Sequence, residues 1–87
     1  MKVKFSKKFE KQYSKFSEKI KKAFGRRLDL FVANPNHPLL RNHALIGELQ
    51  GLRSINITGD IRALYQETEK DRVIFISIGS HSQLYEN

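Results

Sequence analysis

Seven apolar side chains, Phe9, Tyr13, Phe16, Ile20, Phe24, Leu28 and Phe31, recur at steps of four, three, four, four, four and three. Only an α-helix, at about 3.6 residues per turn, gathers such a series on one side, so this stretch restricts the fold more than any other. The lysines at 7, 8, 11, 15, 19, 21 and 22 fall mostly on the opposite side, which gives the segment a basic exterior. Ser6, Ser14 and Ser17 can each cap a helix start, and the pattern predicts two helices, about 7 to 14 and 17 to 33, with one kinked helix as the alternative.

An apolar stripe of this length needs a surface to cover, and the rest of the chain reads as a sheet. "KVKF" alternates as a short strand before the helices, and the prolines of "NPNHP" end the helical region. "LLRNHALIGELQG" reads as an irregular connection, followed by strands at about 49 to 57, 60 to 67 and 72 to 80 with turns at "TG" and "TEKD". "VIFISI" is apolar on both alternating sides apart from Ser77, as a central strand should be. The expected fold is α+β: a single domain over 1–87, order β-α-α-β-β-β, with two helices packed on one face of a small, mostly antiparallel sheet.

Charge is distributed unevenly along this plan. Residues 1–27 carry eleven Lys or Arg against Glu10 and Glu18, net +9, whereas residues 28–87 carry five against seven acidic groups, net −2. A cationic helical surface on a nearly neutral body favours a polyanion, nucleic acid first and an acidic protein second, although a solvated basic helix has the same composition. With no cysteine, a thiolate zinc site is excluded and the cytoplasm is the expected compartment. No apolar run approaches the roughly 20 residues of a membrane span, and the Lys-rich start lacks the apolar core of a signal peptide, so neither membrane nor secretion is expected.

The hairpin around "NITGD" decides which side chains share a face. A two-residue loop at Thr58 and Gly59 mixes isoleucines with charges. A three-residue loop, Ile57 to Gly59 with Gly59 left-handed, sets Asn56 opposite Asp60 and Ser54 opposite Arg62, and separates polar from apolar. Asp60 and Arg62 are then expected on the polar face about 7 Å apart, two strand rises along.

By themselves an Asp and an Arg at this spacing are an ordinary surface ion pair, and His81 after a strand is an ordinary turn residue. His37, His43 and His81 lack the spacing of a helical metal pair, so no metal is expected, and no glycine-rich phosphate loop points to a small-molecule cofactor. Ser80 beside His81 has no nucleophile elbow around it.

"LRSINITGDIRALYQ" followed by "VIFISIGSHSQLY" resembles the RelE/ParE superfamily of bacterial toxin-antitoxin toxins, in detail the YafQ-type ribosome-dependent mRNA interferases. The similarity covers nearly the whole chain and implies a RelE-like fold, a metal-independent endoribonuclease, and the ribosome, mRNA and a cognate antitoxin as partners. It implies that His81 is the principal acid/base, that Asp60 is its partner or a second proton-transfer group, and that His43 in "RNHAL" is a further acid/base or RNA-positioning residue. Arg62 is implied at the scissile phosphate, and Tyr85 as a surface for the target nucleotide. Where YafQ-type toxins carry a second histidine before the Asp, this chain has Asn56, which can hydrogen-bond RNA but cannot transfer protons. Arg53 matches basic family positions as a phosphate contact, although the preferred hairpin register turns it off the polar face.

Two other functions share these features. A ParE-like toxin acting on DNA gyrase has the same fold and needs no imidazole at the end of the last strand. A plain basic nucleic-acid-binding domain would be indifferent to loss of His81.

Overall fold

In the computed structural model, which describes residues 1–85, the chain runs β1 (Lys2–Phe5), α1 (Lys7–Ser14), α2 (Glu18–Ala33), β2 (His43–Ala44), β3 (Arg53–Asn56), β4 (Ile61–Glu69), β5 (Arg72–Ser80) and α3 (His81–Tyr85). The helices start where serine satisfies the first free amides. Ser6 Oγ accepts from Phe9 N at 3.0 Å, and Ser17 Oγ from Ile20 N at 3.3 Å. Ser14 is not a cap: its hydroxyl donates back to the Lys11 carbonyl, and α1 ends there.

The five strands form one sheet in the order β1-β5-β4-β3-β2. The neighbours from β5 to β2 are antiparallel, whereas β1 pairs parallel with β5, because the helical hairpin returns the chain across the sheet before β5 is laid down. α1 and α2 cover one face. Phe75, fully buried on β5, is the centre of that core, with the ring centroids of Phe5, Phe9, Phe24, Phe31 and Tyr65 at 5.6–5.8 Å. The stripe therefore folds as expected, Phe9, Phe24 and Phe31 being buried and Tyr13, Phe16, Ile20 and Leu28 packed around them. Among the described residues, no helix is long and apolar enough to cross a membrane.

Three local readings need correction. The strand expected from 49 starts at Arg53, because Gly47 and Gly51 take left-handed φ of 68° and 98° that break the extended run. Within the connection, His43 and Ala44 form an unforeseen edge strand paired with β3. The hairpin register is shifted by two residues: Asn56 faces Arg62 and Ile55 faces Ala63, with the loop at 58–60. Ile57 stays in the ladder, its amide donating to the Ile61 carbonyl at 2.9 Å, so two buried isoleucines pair across the hairpin. Thr58 Oγ1 accepts from Ile61 N at 3.1 Å and closes the turn, so Gly59 needs no positive φ. A shift of two leaves each side chain on its expected face. It removes Asp60 from the ladder and places it, exposed, in the turn.

Candidate active site

Strand pairing sets two transverse rows on the sheet face away from α1 and α2. One runs His43, Ser54, Leu64, Ser77 and the other Asn56, Arg62, Gly79. Helix α3 then folds back over β5. Its start is a reciprocal cap: Gln83 N donates to Ser80 Oγ at 3.2 Å, and Ser80 N donates to Gln83 Oε1 at 2.8 Å. Gly79 makes room for this, since a β-carbon there would lie 2.9 Å from Gln83 Oε1 and 3.3 Å from Gln83 Cβ. At the other end of α3, Tyr85 OH donates to the fully buried Ser54 Oγ at 3.1 Å. The capping pattern Ser80-x-x-Gln83 was present in "SHSQ" and is the signal that would have revealed this helix.

We expect Gln83→Ala to destabilise the start of α3 by about 1 kcal/mol. Exchange of the Ser80 amide should then quicken roughly fivefold. An unchanged rate would mean that the cap does not hold.

His81 is the first residue of α3, exposed, with its ring centroid 4.5 Å from that of Tyr85. Arg41, His43, Leu45, Asn56, Arg62, His81 and Tyr85 line one shallow concavity of about 390 Å³. His43 Nδ1 lies 2.9 Å from the Arg41 carbonyl. A carbonyl only accepts, so the neutral ring carries its proton on Nδ1 and keeps the lone pair on Nε2. Arg62 Nη1 donates to the carbonyls of Thr58 at 3.0 Å and Gly59 at 3.2 Å, which holds the guanidinium near the hairpin turn. The lining contains no carboxylate among the described residues, and the ion pairs found there, Met1–Asp71, Lys21–Glu18 and Arg72–Glu69, involve none of it. The concavity therefore presents two imidazoles and two guanidiniums to an anion. No group of three or more His, Asp or Glu side chains suited to a metal ion occurs among the described residues.

Of the residues singled out in the sequence, His43, Asn56, Arg62, His81 and Tyr85 come together, and Asp60 and Arg53 do not. Asp60 does not line the concavity, because its place in the turn replaces the expected one beside Arg62. Arg53 pairs with Tyr65 on the helix-covered face, where its Nε donates to Asn42 Oδ1 at 2.9 Å. Asn42 Nδ2 in turn donates to Tyr65 OH at 2.7 Å and to the Pro35 carbonyl at 3.0 Å. This network anchors the backbone that carries Arg41 and His43 from the opposite side of the sheet. Asn42→Ala strands the buried Tyr65 hydroxyl and Arg53 Nε. The expected loss is about 2 kcal/mol, a melting temperature lower by roughly 10 °C; a melting curve like that of the wild type would discard this account.

A five-stranded sheet with a helical hairpin on one face is the architecture of the RelE-like fold. The same fold occurs in a YoeB/ParE toxin from Agrobacterium tumefaciens, at TM-score 0.77 and 19% identity over 93% of this chain and 99% of that one. The chain belongs to the YafQ family, bacterial toxins of type II toxin-antitoxin systems, whose family model matches residues 1–86. YafQ from E. coli superposes with TM-score 0.80 at 18% identity, covering 95% of this chain and 96% of that one. In the E. coli DinJ-YafQ toxin-antitoxin complex the TM-score is 0.77 at 18% identity, with 95% and 94% covered. A copper-bound mutant toxin from Helicobacter pylori shares 27% identity at TM-score 0.73 over 98% of this chain and 99% of that one. Comparison with curated protein sequences returned no match.

Proposed function

We propose that this toxin is an endoribonuclease that cleaves mRNA on the ribosome by acid/base catalysis. The observation that carries this reading is the convergence of His43, His81 and Arg62 on one concavity that no carboxylate lines among the described residues, with Tyr85 and Asn56 beside them. Cleavage of RNA through its own 2′-hydroxyl needs a base for that proton, cations for the phosphorane and an acid for the departing 5′-oxygen. His43 suits the base, because its Nδ1–carbonyl bond leaves Nε2 free to accept. The 2′-oxygen then attacks phosphorus, the bond to the 5′-oxygen breaks, and a cyclic 2′,3′-phosphate remains. His81 suits the acid that protonates the 5′-oxygen, with its ring set beside Tyr85. Arg62 neutralises charge on the phosphorane by charge-assisted hydrogen bonds. Asp60, exposed in the adjoining turn and outside the lining, has no proton-transfer role in this scheme.

Tyr85, tied through its hydroxyl to Ser54, offers a nucleotide its ring and not its polar end. The lysines between 7 and 22 lie on the helices of the other layer, where they suit the ribosomal RNA backbone with salt-sensitive affinity. The antitoxin of such a system is the implied protein partner, in the cytoplasm.

Cell-free translation followed by primer extension on the message tests this reading. Translation-dependent cuts by the wild type are expected. Their absence, together with poisoning of DNA gyrase, would favour a ParE-like toxin instead.

A further inference from the structure

We infer that Arg41 is a second phosphate-binding residue of the concavity, held in place by a left-handed backbone that also orients His43; this rests on the ribonuclease reading above. Arg41 is one of two residues other than glycine with positive φ among those described, at φ 46° and ψ 45°. The conformation is disfavoured for a side chain with a β-carbon, and such strain persists where the surroundings enforce it. Here they do so from both sides. Arg41 N donates to the Pro38 carbonyl at 3.2 Å, which ends the 3-10 turn Pro38–Leu40, and the next residue is fastened by the Asn42 network.

The left-handed step directs the Arg41 carbonyl to His43 Nδ1 at 2.9 Å and sets Arg41 at the rim of the concavity. Its guanidinium has no hydrogen-bond or ion-pair partner among the described residues. Arg26, exposed on α2, likewise has none, whereas Arg27 donates to the Leu39 carbonyl, Arg53 to Asn42 and Arg62 to the turn carbonyls, and Arg72 pairs with Glu69. The turn carbonyls engage Arg62 Nη1 and leave its Nη2 and Nε for a phosphate, whereas no N–H of the Arg41 guanidinium is engaged among the described residues. A glycine would suit this backbone better, so an arginine here keeps strain in exchange for a cation beside His43.

The test is titration of wild type, Arg41→Gly and Arg26→Ala with a dinucleoside monophosphate lacking the attacking 2′-hydroxyl, read from the imidazole resonances of His43 and His81. Arg26, exposed on α2 away from the concavity, controls for net charge. Arg41→Gly is expected to bind about tenfold more weakly, with a melting temperature unchanged or raised by roughly 5 °C, and Arg26→Ala to bind as wild type. Arg41→Val, whose branched side chain opposes the left-handed backbone, should release the Nδ1 bond and appear as mixed tautomers in the nitrogen spectrum of His43. Equal binding by wild type and Arg41→Gly, or an equal loss in Arg26→Ala, overturns the role of Arg41 and leaves the ribonuclease reading standing. If the wild type binds without moving either histidine, the concavity is not the phosphate site, and both readings fall.

Discussion

His81→Ala is expected to lower cleavage of translated message by about a hundredfold to ten-thousandfold, the range spanned by loss of a positioned general acid or base. The proposed step explains the size: without an acid the 5′-oxygen must leave as an alkoxide, and neither the hydroxyl of Tyr85, engaged with Ser54, nor the amide of Asn56 replaces it. The fold should not suffer. His81 is exposed, and both ends of α3 are held by other residues, through the Ser80–Gln83 cap and the Tyr85–Ser54 bond. Primer extension during cell-free translation gives the rate, and a melting curve shows whether the variant folds. Cleavage at the wild-type rate by a folded His81→Ala protein would take the acid role away from this residue.

Arg62→Ala is expected to cost about a hundredfold to thousandfold in the same assay, the scale for one preorganised group that stabilises transition-state charge. Its structural contribution is smaller. The hydrogen bonds to the Thr58 and Gly59 carbonyls cross an exposed turn, so their loss should destabilise the protein by less than about 1 kcal/mol. Arg62→Lys separates charge from geometry. Lysine keeps the cation and loses the planar fork, so it should recover only part of the rate. Full activity in Arg62→Lys would mean that a point charge suffices, and full activity in Arg62→Ala would remove the residue from the mechanism.

Much of the fold was legible in the chain because its signals are local. Ser6 and Ser17 cap helices whose apolar faces repeat at one period, and the expected helix bounds hold within a residue. Polar and apolar faces of the hairpin were likewise legible, since side chains alternate along a strand whichever even shift the register takes. Asp60 shows where that logic stops. Its expected position beside Arg62 depended on whether Ile57 would leave the ladder, and that was settled by pairing Ile57 with Ile61 in the core. His43 shows a different limit. Two residues of edge strand, His43–Ala44, carry too short a pattern to stand out, yet their pairing with β3 brings an imidazole to the concavity.

The sequence by itself determined the two basic helices, the apolar run of a strand flanked on both sides, and the chemical types available at the end of the last strand, because periodicity and capping act over a few residues. Only the tertiary structure decided that His81 shares a concavity with His43 and Arg62, that Arg53 supports Asn42 from the other face, and that Asp60 is left in a turn. Those outcomes rest on contacts far apart in the chain, such as Tyr85 with Ser54 and Asn42 with Tyr65. They form because a buried polar group must find a partner wherever the fold provides one, and no local pattern encodes that choice.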